Sequence, residues 1–340
     1  MQGVAVGFPR PAQIPKHVGM SPAPPLTAID RFRRAADALR GHGKLGLAVS
    51  GGPDSLALLL LAAAALPGEV EAATVDHGLR AASGEEAAFV ADLCRRLGVP
   101  HAILRAEVDR GRASLQRAAR EARYRALGAW LAARSIETLA TAHHADDQAE
   151  TLVMRLIRGA GIGGLAGIRA KLVLPMPGSE AIVVRPLLGW RRAELRAIVE
   201  AAGIRPVDDP SNADPRYDRA RVRAQLARSR WLEPLGLARS AAALAEADAA
   251  LDWAAQRLEE ERVVAERDRL KLRPGGIPPE LKRRLLLRLL ARIRPEAAPR
   301  GDETSRLIET LEAGGTATLA GVKCIGGETW RFEREPGRQG

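Results

Sequence analysis

Leu45-Gly46-Leu47-Ala48-Val49-Ser50-Gly51-Gly52-Pro53-Asp54-Ser55 decides how this chain reads. The apolar run Leu45–Val49 has strand length and ends in glycines, and Ser55–Leu66 is an apolar helix stopped by Pro67 and Gly68. A strand, a glycine turn and a helix start, in that order, put free backbone N–H groups and the positive helix end at the carboxyl edge of the first strand. That edge is where phosphate binds. Gly51 and Gly52 lack the Cβ atoms that would hold backbone amides away from an oxygen, and Ser50 and Ser55 add hydroxyl donors. Ser50, Gly51, Gly52, Pro53, Asp54 and Ser55 form the candidate phosphate-binding set. Asp54 is itself an anion, so its reading is as a holder of Mg2+ that bridges carboxylate and phosphates. The loop has neither the Gly-Lys-Ser/Thr of a Walker A motif nor the spacing of a dinucleotide fingerprint. Taken alone it also fits an ordinary strand-to-helix turn with Asp54 or Ser55 as N-cap.

Outward from this stretch the pattern is regular. Ile29, Phe32, Ala36 and Leu39 recur at helical spacing before Gly41 and Gly43. Strands are expected at Val70–Val75, His101–Leu104 and Thr138–Ala142. Helices are expected at Glu85–Leu97, Ser114–Arg134 with Ser114 as N-cap, and Asp146–Arg158. Strict β–α alternation with continuous apolar strands predicts an α/β doubly wound parallel sheet. After Arg158 the rhythm breaks into a glycine-rich stretch (Gly159–Gly167), a hairpin (Leu172–Arg185), a helix (Arg191–Ala202) and a mixed, arginine-rich segment from Arg205 to Arg230. Helices then follow at Ala241–Ala265 and Pro279–Arg292, with a last hairpin at Thr316–Arg331 turning on Gly326-Gly327. The expected division is a disordered tail over 1–28, a catalytic domain over 29–232, and a mainly helical, basic C-terminal region over 233–340. The boundary is placed at Trp231–Gly236.

The chain has 340 residues, 46% hydrophobic, enough for a sizeable core. Lys and Arg number 52 against 41 Asp and Glu, a formal charge of +11. That balance points to a polyanionic partner, although solubility in an arginine-rich proteome also accounts for it. Aromatics make up 3%, too few for a general single-strand binder built on stacking, so a shaped RNA held by its backbone fits better. Cys94 and Cys324 stand far apart and can form no disulfide framework, zinc ribbon or iron–sulfur ligand set. A reducing, cytoplasmic setting is expected. Met1–Pro25 lacks the compact apolar run of a secretory leader. Leu56–Leu66 is too short to cross a bilayer, so no membrane association is expected.

Two further polar clusters follow strands. Asp76 and His77 close the second strand; His143, His144, Asp146, Asp147 and Glu150 follow the fourth. With the glycine loop they converge on the carboxyl ends of parallel strands, where an open α/β sheet builds its site. Asp147 and Glu150, three apart in a first helical turn, share one face. Dipole complementation with Asp146 as N-cap explains the acids but leaves both histidines without a task. A metal-dependent phosphohydrolase using Asp76, His77, His143, His144, Asp146 and Asp147 would explain those but leave the glycine loop idle. On the long basic helix, Gln116, Arg120 and Arg123 lie along one face. Arg120 and Arg123 are candidates to neutralise phosphate or RNA charge, while Arg117 reads as a solvated residue.

Ser-Gly-Gly-Pro-Asp-Ser after a first strand resembles the PP-loop of the N-type ATP pyrophosphatases, which cleave ATP between its α and β phosphates. The resemblance extends from Lys44 to Trp231. It takes in Val75-Asp76-His77-Gly78-Leu79-Arg80, His143-His144-Ala145-Asp146-Asp147-Gln148-Ala149-Glu150-Thr151, the glycine-rich 158–167, Arg185-Pro186-Leu187-Leu188, and Asp208-Asp209-Pro210-Ser211-Asn212 followed by Tyr217. Over that span the chain is similar to the tRNA(Ile)-lysidine synthases. The resemblance implies a ligase that joins lysine to C2 of the cytidine at the first anticodon position, through an adenylated base, leaving AMP and pyrophosphate. It implies ATP and Mg2+ as cofactors, with Asp54 holding the metal, Asp76 and His77 assisting the ATP loop, and His143 in the catalytic set. Asp147 and Glu150 would receive the cationic lysine, with Arg120 and Arg123 on the substrate side. The implied partners are an isoleucine tRNA with a CAU anticodon and free L-lysine, and a homodimer is admitted. One departure stands out: Arg219-Ala220-Arg221 occupies the place where the family usually has Arg-Asn-Arg. Competing readings are a PP-loop thiolation enzyme, which needs paired cysteines or a cysteine at a strand end, an amidating synthetase, which needs no basic tail, and a non-catalytic RNA-binding module, which needs no phosphate loop.

Overall fold

The computed structural model describes residues 23–76, 83–106, 115–176, 179–207, 216, 218–297, 299 and 301–335. His77 to Arg80, Ser114, Asp208 to Asn212 and Tyr217 lie outside the described residues, as do 1–22 of the expected tail and the side chains of Gln116 and Arg117.

β1 (Leu45–Ala48) is apolar on both faces and sits inside a six-stranded sheet. Its neighbours are β2 (Val70–Asp76) on one side and β4 (Thr138–Ala140) on the other, both parallel to it. β3 (His101–Arg105) extends the β2 side; β6 (Ser179–Val184) and the antiparallel edge strand β5 (Lys171–Met176) extend the β4 side. The order β3-β2-β1-β4-β6-β5 is the expected doubly wound sheet. β2 and β3 are added on one side of β1 and β4 on the other, so the carboxyl ends of the parallel β1 and β4 flank the switch point where such sheets bind ligands.

Helices cover both faces. α1 (Leu26–Leu39), α2 (Pro53–Ala65), α3 (Ser83–Arg96) and the later α7 (Arg192–Ala201) pack one side through Phe32, Leu56, Leu59, Val90, Leu93, Leu195 and Val199. α4 (Leu115–Ala133) covers the other, setting Leu127, Trp130 and Leu131 against Leu139 and Val183. α2 is Ala and Leu nearly all round because it is buried on nearly all sides. α1 starts at Leu26, so residues 26–28 belong to a helix and not to a tail. α5 (Ala145–Ile157) follows β4, and the short α6 (Ile162–Leu165) lies within the glycine-rich stretch. α8 (Asp218–Arg228) was not visible in the sequence: Leu226 is its buried residue, and arginines rather than an apolar stripe dock it.

The chain divides into compact units at 1–244 and 245–340. The division falls inside α9 (Pro234–Arg262), beyond the 231–236 stretch where the composition changes. The second unit is helical, with α10 (Pro279–Ile293) and α11 (Gly301–Glu312), and also carries a five-stranded antiparallel sheet. β7 (Val263–Glu266) and β8 (Arg269–Leu272) replace the end of the helix expected to reach Ala265, since β-branched Val263 and Val264 pair into the sheet. The expected hairpin is three strands, β9 (Thr316–Leu319), β10 (Val322–Ile325) and β11 (Trp330–Arg334), with Gly326-Gly327 in the second turn. Leu285, Leu286, Leu289, Leu290, Trp330 and Phe332 form its core. Arg284 pins α10 to α9 through Asp248 at 2.6 Å and is braced within its own helix by Glu280 at 2.8 Å. Among the described residues no helix is long and apolar enough to cross a membrane.

Candidate active site

The chain leaves β1 through Ser50 and turns at Gly51, whose φ of +82° is the left-handed region a side chain disfavours. The Gly51 carbonyl accepts the Val207 N–H at 3.0 Å, and a Cβ there would meet Val207 Cγ2 at 3.3 Å. Gly52 is the N-cap of α2 and Pro53 its first residue, so neither Asp54 nor Ser55 is the cap. Ser55 Oγ turns back into the loop, donating to the Gly52 carbonyl at 2.9 Å and accepting the Ser50 N–H at 3.1 Å. Among the described residues no side chain caps α2, so its first amides keep their capacity for an anion.

Asp54 leans from the first turn of α2 toward the end of β4. Its Oδ2 lies 3.4 Å from His144 Nε2, while Oδ1 is buried with no hydrogen-bond partner among the described residues. A buried carboxylate oxygen without a donor fits a cation. Among the described residues no three His, Cys, Asp or Glu are grouped to hold a metal. Asp54 is the residue that could hold a divalent cation beside a bound nucleotide.

His144, not Asp146, is the N-cap of α5. Its Nδ1 accepts the Asp147 N–H at 3.3 Å, and Asp147 Oδ2 accepts the His144 N–H at 3.1 Å, a reciprocal capping box. The cap lies two residues earlier than the acids suggest, which frees Asp146. Asp146 instead takes the Arg191 guanidinium on both oxygens at 3.2 Å and the Arg192 N–H at 2.8 Å. Burial would raise its pKa, but these donors outweigh burial and hold the carboxyl below its usual range. The other ring nitrogen of His144, Nε2, lies 3.4 Å from Asp54 Oδ2 and 3.5 Å from Asp147 Oδ2. His143 places Nδ1 2.9 Å from Thr141 Oγ1. Burial, together with the charges of Arg185, Arg219 and Arg120 and against that of Asp147, pushes its pKa down to about 4.

Asp147 and Glu150 share one face, and three arginines meet them there. Arg219 spans the pair, Nη2 to Asp147 Oδ1 and Nε to Glu150 Oε2, each at 2.7 Å. Arg223 grips both Glu150 oxygens at 2.7 and 3.2 Å, and Arg192 reaches Oε1 at 3.2 Å. Glu150 is 1% exposed. Burial pushes its pKa up, yet Arg223 and Arg219 pull harder and keep it below the carboxylate range. The glycine-rich stretch closes on the buried side of α5: Gln148 donates to the Ile168 carbonyl at 3.1 Å and accepts its N–H at 2.6 Å. Gly167, at φ +66°, would drive a Cβ to 2.5 Å from Gln148 Oε1.

A family model described as PP-loop domain matches residues 26–230. A tRNA(Ile)-lysidine synthase of Novosphingobium aromaticivorans is 50% identical over 310 residues, 91% of this chain and 94% of that one. The chain belongs to the tRNA(Ile)-lysidine synthase family. The synthase of Zymomonas mobilis is 45% identical over 87% of this chain and 90% of its own, and that of Ruegeria pomeroyi 42% identical over 86% and 71%. Among solved structures, a U34-tRNA thiolase of Methanococcus maripaludis aligns with a TM-score of 0.53 at 18% identity, covering 65% of this chain and 78% of that one, a likeness of fold.

In this member of the tRNA(Ile)-lysidine synthase family the loop, Asp54, His143, His144, Asp147 and Glu150 converge in one crevice. Asp76 closes β2 nearby with its carbonyl accepting the Ala106 N–H at 2.9 Å. Arg120 lies 4.9 Å over the Tyr124 ring on α4, and its charge reaches His143; Arg123 is exposed on the same helix. Sequence reasoning missed the arginine clamp. Arg219 and Arg223 are four apart on one face of α8, a signal lost among the other arginines of 205–230, and Arg192 carried no signal at all. Both cysteines are buried, and burial pushes each thiol up to about 12, far from a thiolate nucleophile.

Proposed function

We propose that this chain ligates lysine to C2 of the cytidine at the first anticodon position of an isoleucine tRNA with a CAU anticodon, forming lysidine, AMP and pyrophosphate. The carrying observation is the uncapped start of α2 beside the orphan oxygen of Asp54, linked through His144 to the Asp147–Glu150 pair. In the first step the cytidine O2 attacks the α-phosphorus of ATP and pyrophosphate leaves. Ser50, Gly51, Gly52 and Ser55 present amides and hydroxyls to the phosphates, Pro53 starts the helix behind them without an N–H of its own, Asp76 and His77 assist, and Mg2+ held at Asp54 would supply charge neutralisation. In the second step the lysine ε-amine displaces AMP. Asp147 and Glu150 receive the cationic lysine, and His143, uncharged at neutral pH, accepts a hydrogen bond from the incoming amine.

Arg120 and Arg123 lie on the substrate side, and residues 233–340 serve as the tRNA grip of a catalytic domain over 29–232. The enzyme works in the cytoplasm, and a homodimer fits the reading. Incubation with ATP, lysine and isoleucine tRNA should add the mass of lysine less water to the anticodon nucleoside. An unmodified nucleoside alongside ATP turnover would refute the reaction. A sulfur-transfer reading lacks a nucleophile, since both cysteines of the chain are buried.

A further inference from the structure

The Arg219 guanidinium bridges Asp147 Oδ1 and Glu150 Oε2 at 2.7 Å each; Arg223 Nη2 shares Glu150 Oε2 at 3.2 Å, and Arg192 Nη2 stands 3.7 Å from Asp147 Oδ1. Its two companions are placed differently. Arg223 is committed to both oxygens of Glu150, and Arg192 is braced between Glu150 and, at 3.4 Å, His144 Nε2. Arg219 is also the most exposed of the three, at 44% of its side chain against 32% for Arg223 and 28% for Arg192. A cation entering between the two acids therefore displaces Arg219 and leaves its guanidinium unpaired within side-chain reach of the newcomer.

The chemistry of the second step decides which end of lysine enters. The attacking ε-amine must be unprotonated, and a carboxylate pair would hold an amine in its protonated form. The ammonium that the pair can hold without blocking the reaction is the α-ammonium, and it carries the α-carboxylate beside it. A displaced guanidinium and an incoming carboxylate match in charge and in planar, two-pronged geometry.

We propose that Arg219 is the specificity residue for the α-carboxylate of the amino-acid substrate: it bridges Asp147 and Glu150 in the empty site, yields them to the α-ammonium, and then pairs with the carboxylate. This rests on the reading of the pair as the lysine site. The surplus arginine in the cluster then has a task, and the site becomes complementary to a zwitterionic head group instead of to any amine.

The test compares kcat/KM for lysine with that for 1,5-diaminopentane, which keeps both amines and lacks the carboxylate, in the wild-type chain and in Arg219→Gln. The preference for lysine should shrink about 10- to 150-fold, the span of one charge-assisted hydrogen bond, and Arg219→Lys should restore part of it. The ratio does not depend on how much enzyme is folded, so a destabilised variant remains informative. An unchanged ratio in Arg219→Gln overturns the proposal, whether lysine KM falls, as for a mere plug, or rises, as for a mere counter-ion. Asp147→Asn separates the two layers. It should weaken both amines alike. If it weakens neither, the lysine-site reading fails; if it does and the Arg219→Gln ratio holds, the role of Arg219 alone fails.

Discussion

Asp54 Oδ2 and His144 Nε2 stand 3.4 Å apart across the gap between the ends of β1 and β4. One imidazole thus ties the phosphate loop to the first turn of α5, because its other nitrogen is fixed by the Asp147 N–H. Removing it breaks two things, and they can be told apart. His144→Ala loses the cap, costing about 1 kcal/mol, and loses the link to Asp54. His144→Asn keeps an N-cap oxygen. Melting temperature should drop for Ala and be largely retained for Asn, while ATP-dependent turnover should fall in both. Equal stability for Ala and wild type would contradict the capping box.

Asp54→Ala should leave the fold intact, since the Oδ1 atom makes no hydrogen bond. Turnover should fall about a thousandfold or more, the equivalent of roughly 4 kcal/mol of lost charge neutralisation. The measurement is tRNA-dependent pyrophosphate release across a Mg2+ titration. A variant with near-normal release would remove Asp54 from the ATP site.

Glu150→Gln keeps shape and removes charge. Lysine KM should rise about 10- to 150-fold, while pyrophosphate release from ATP and tRNA without lysine survives. Because Glu150 is 1% exposed and holds three guanidiniums, the variant should also lose about 3–5 kcal/mol of stability. A change in stability with lysine KM unmoved would mark the pair as structural.

His143 predicts a pH effect. Its folded pKa of about 4 lies below the ordinary value of 6.5, so between those values the unfolded chain binds a proton the folded chain refuses. Stability should therefore be full above about pH 6.5 and decline as pH falls toward 4, by roughly 3 kcal/mol from this group. His143→Gln should flatten that part of the curve of melting temperature against pH. A variant that keeps the full slope would assign the acid sensitivity to other groups.

Binding of tRNA should weaken steeply with salt, as each phosphate contact releases counterions. On the sheet of the second unit Arg331 pairs across strands with Lys271, placing two cations side by side. Reversing both to Glu should reduce tRNA affinity and the steepness of its salt dependence while leaving ATP KM unchanged. Unaltered affinity would move the RNA surface elsewhere.

Local sequence determined the elements that carry this site. The run from Leu45 to Ser55 encodes strand, turn and helix through apolar length, glycine and proline. The spacing of Asp147 and Glu150 alone places both acids on one helix face. Tertiary structure decided what those residues meet. That β4 lies beside β1, bringing His144 to Asp54, depends on strand order, which no local period records. The arginine clamp joins Glu150 to residues 42, 69 and 73 positions away. α8 has almost no apolar stripe to announce where it docks. Periodicity reports which face of an element is buried, because burial follows from its own side chains. Which cation reaches a given carboxylate depends on how separate elements pack, and that is set only when the whole core closes.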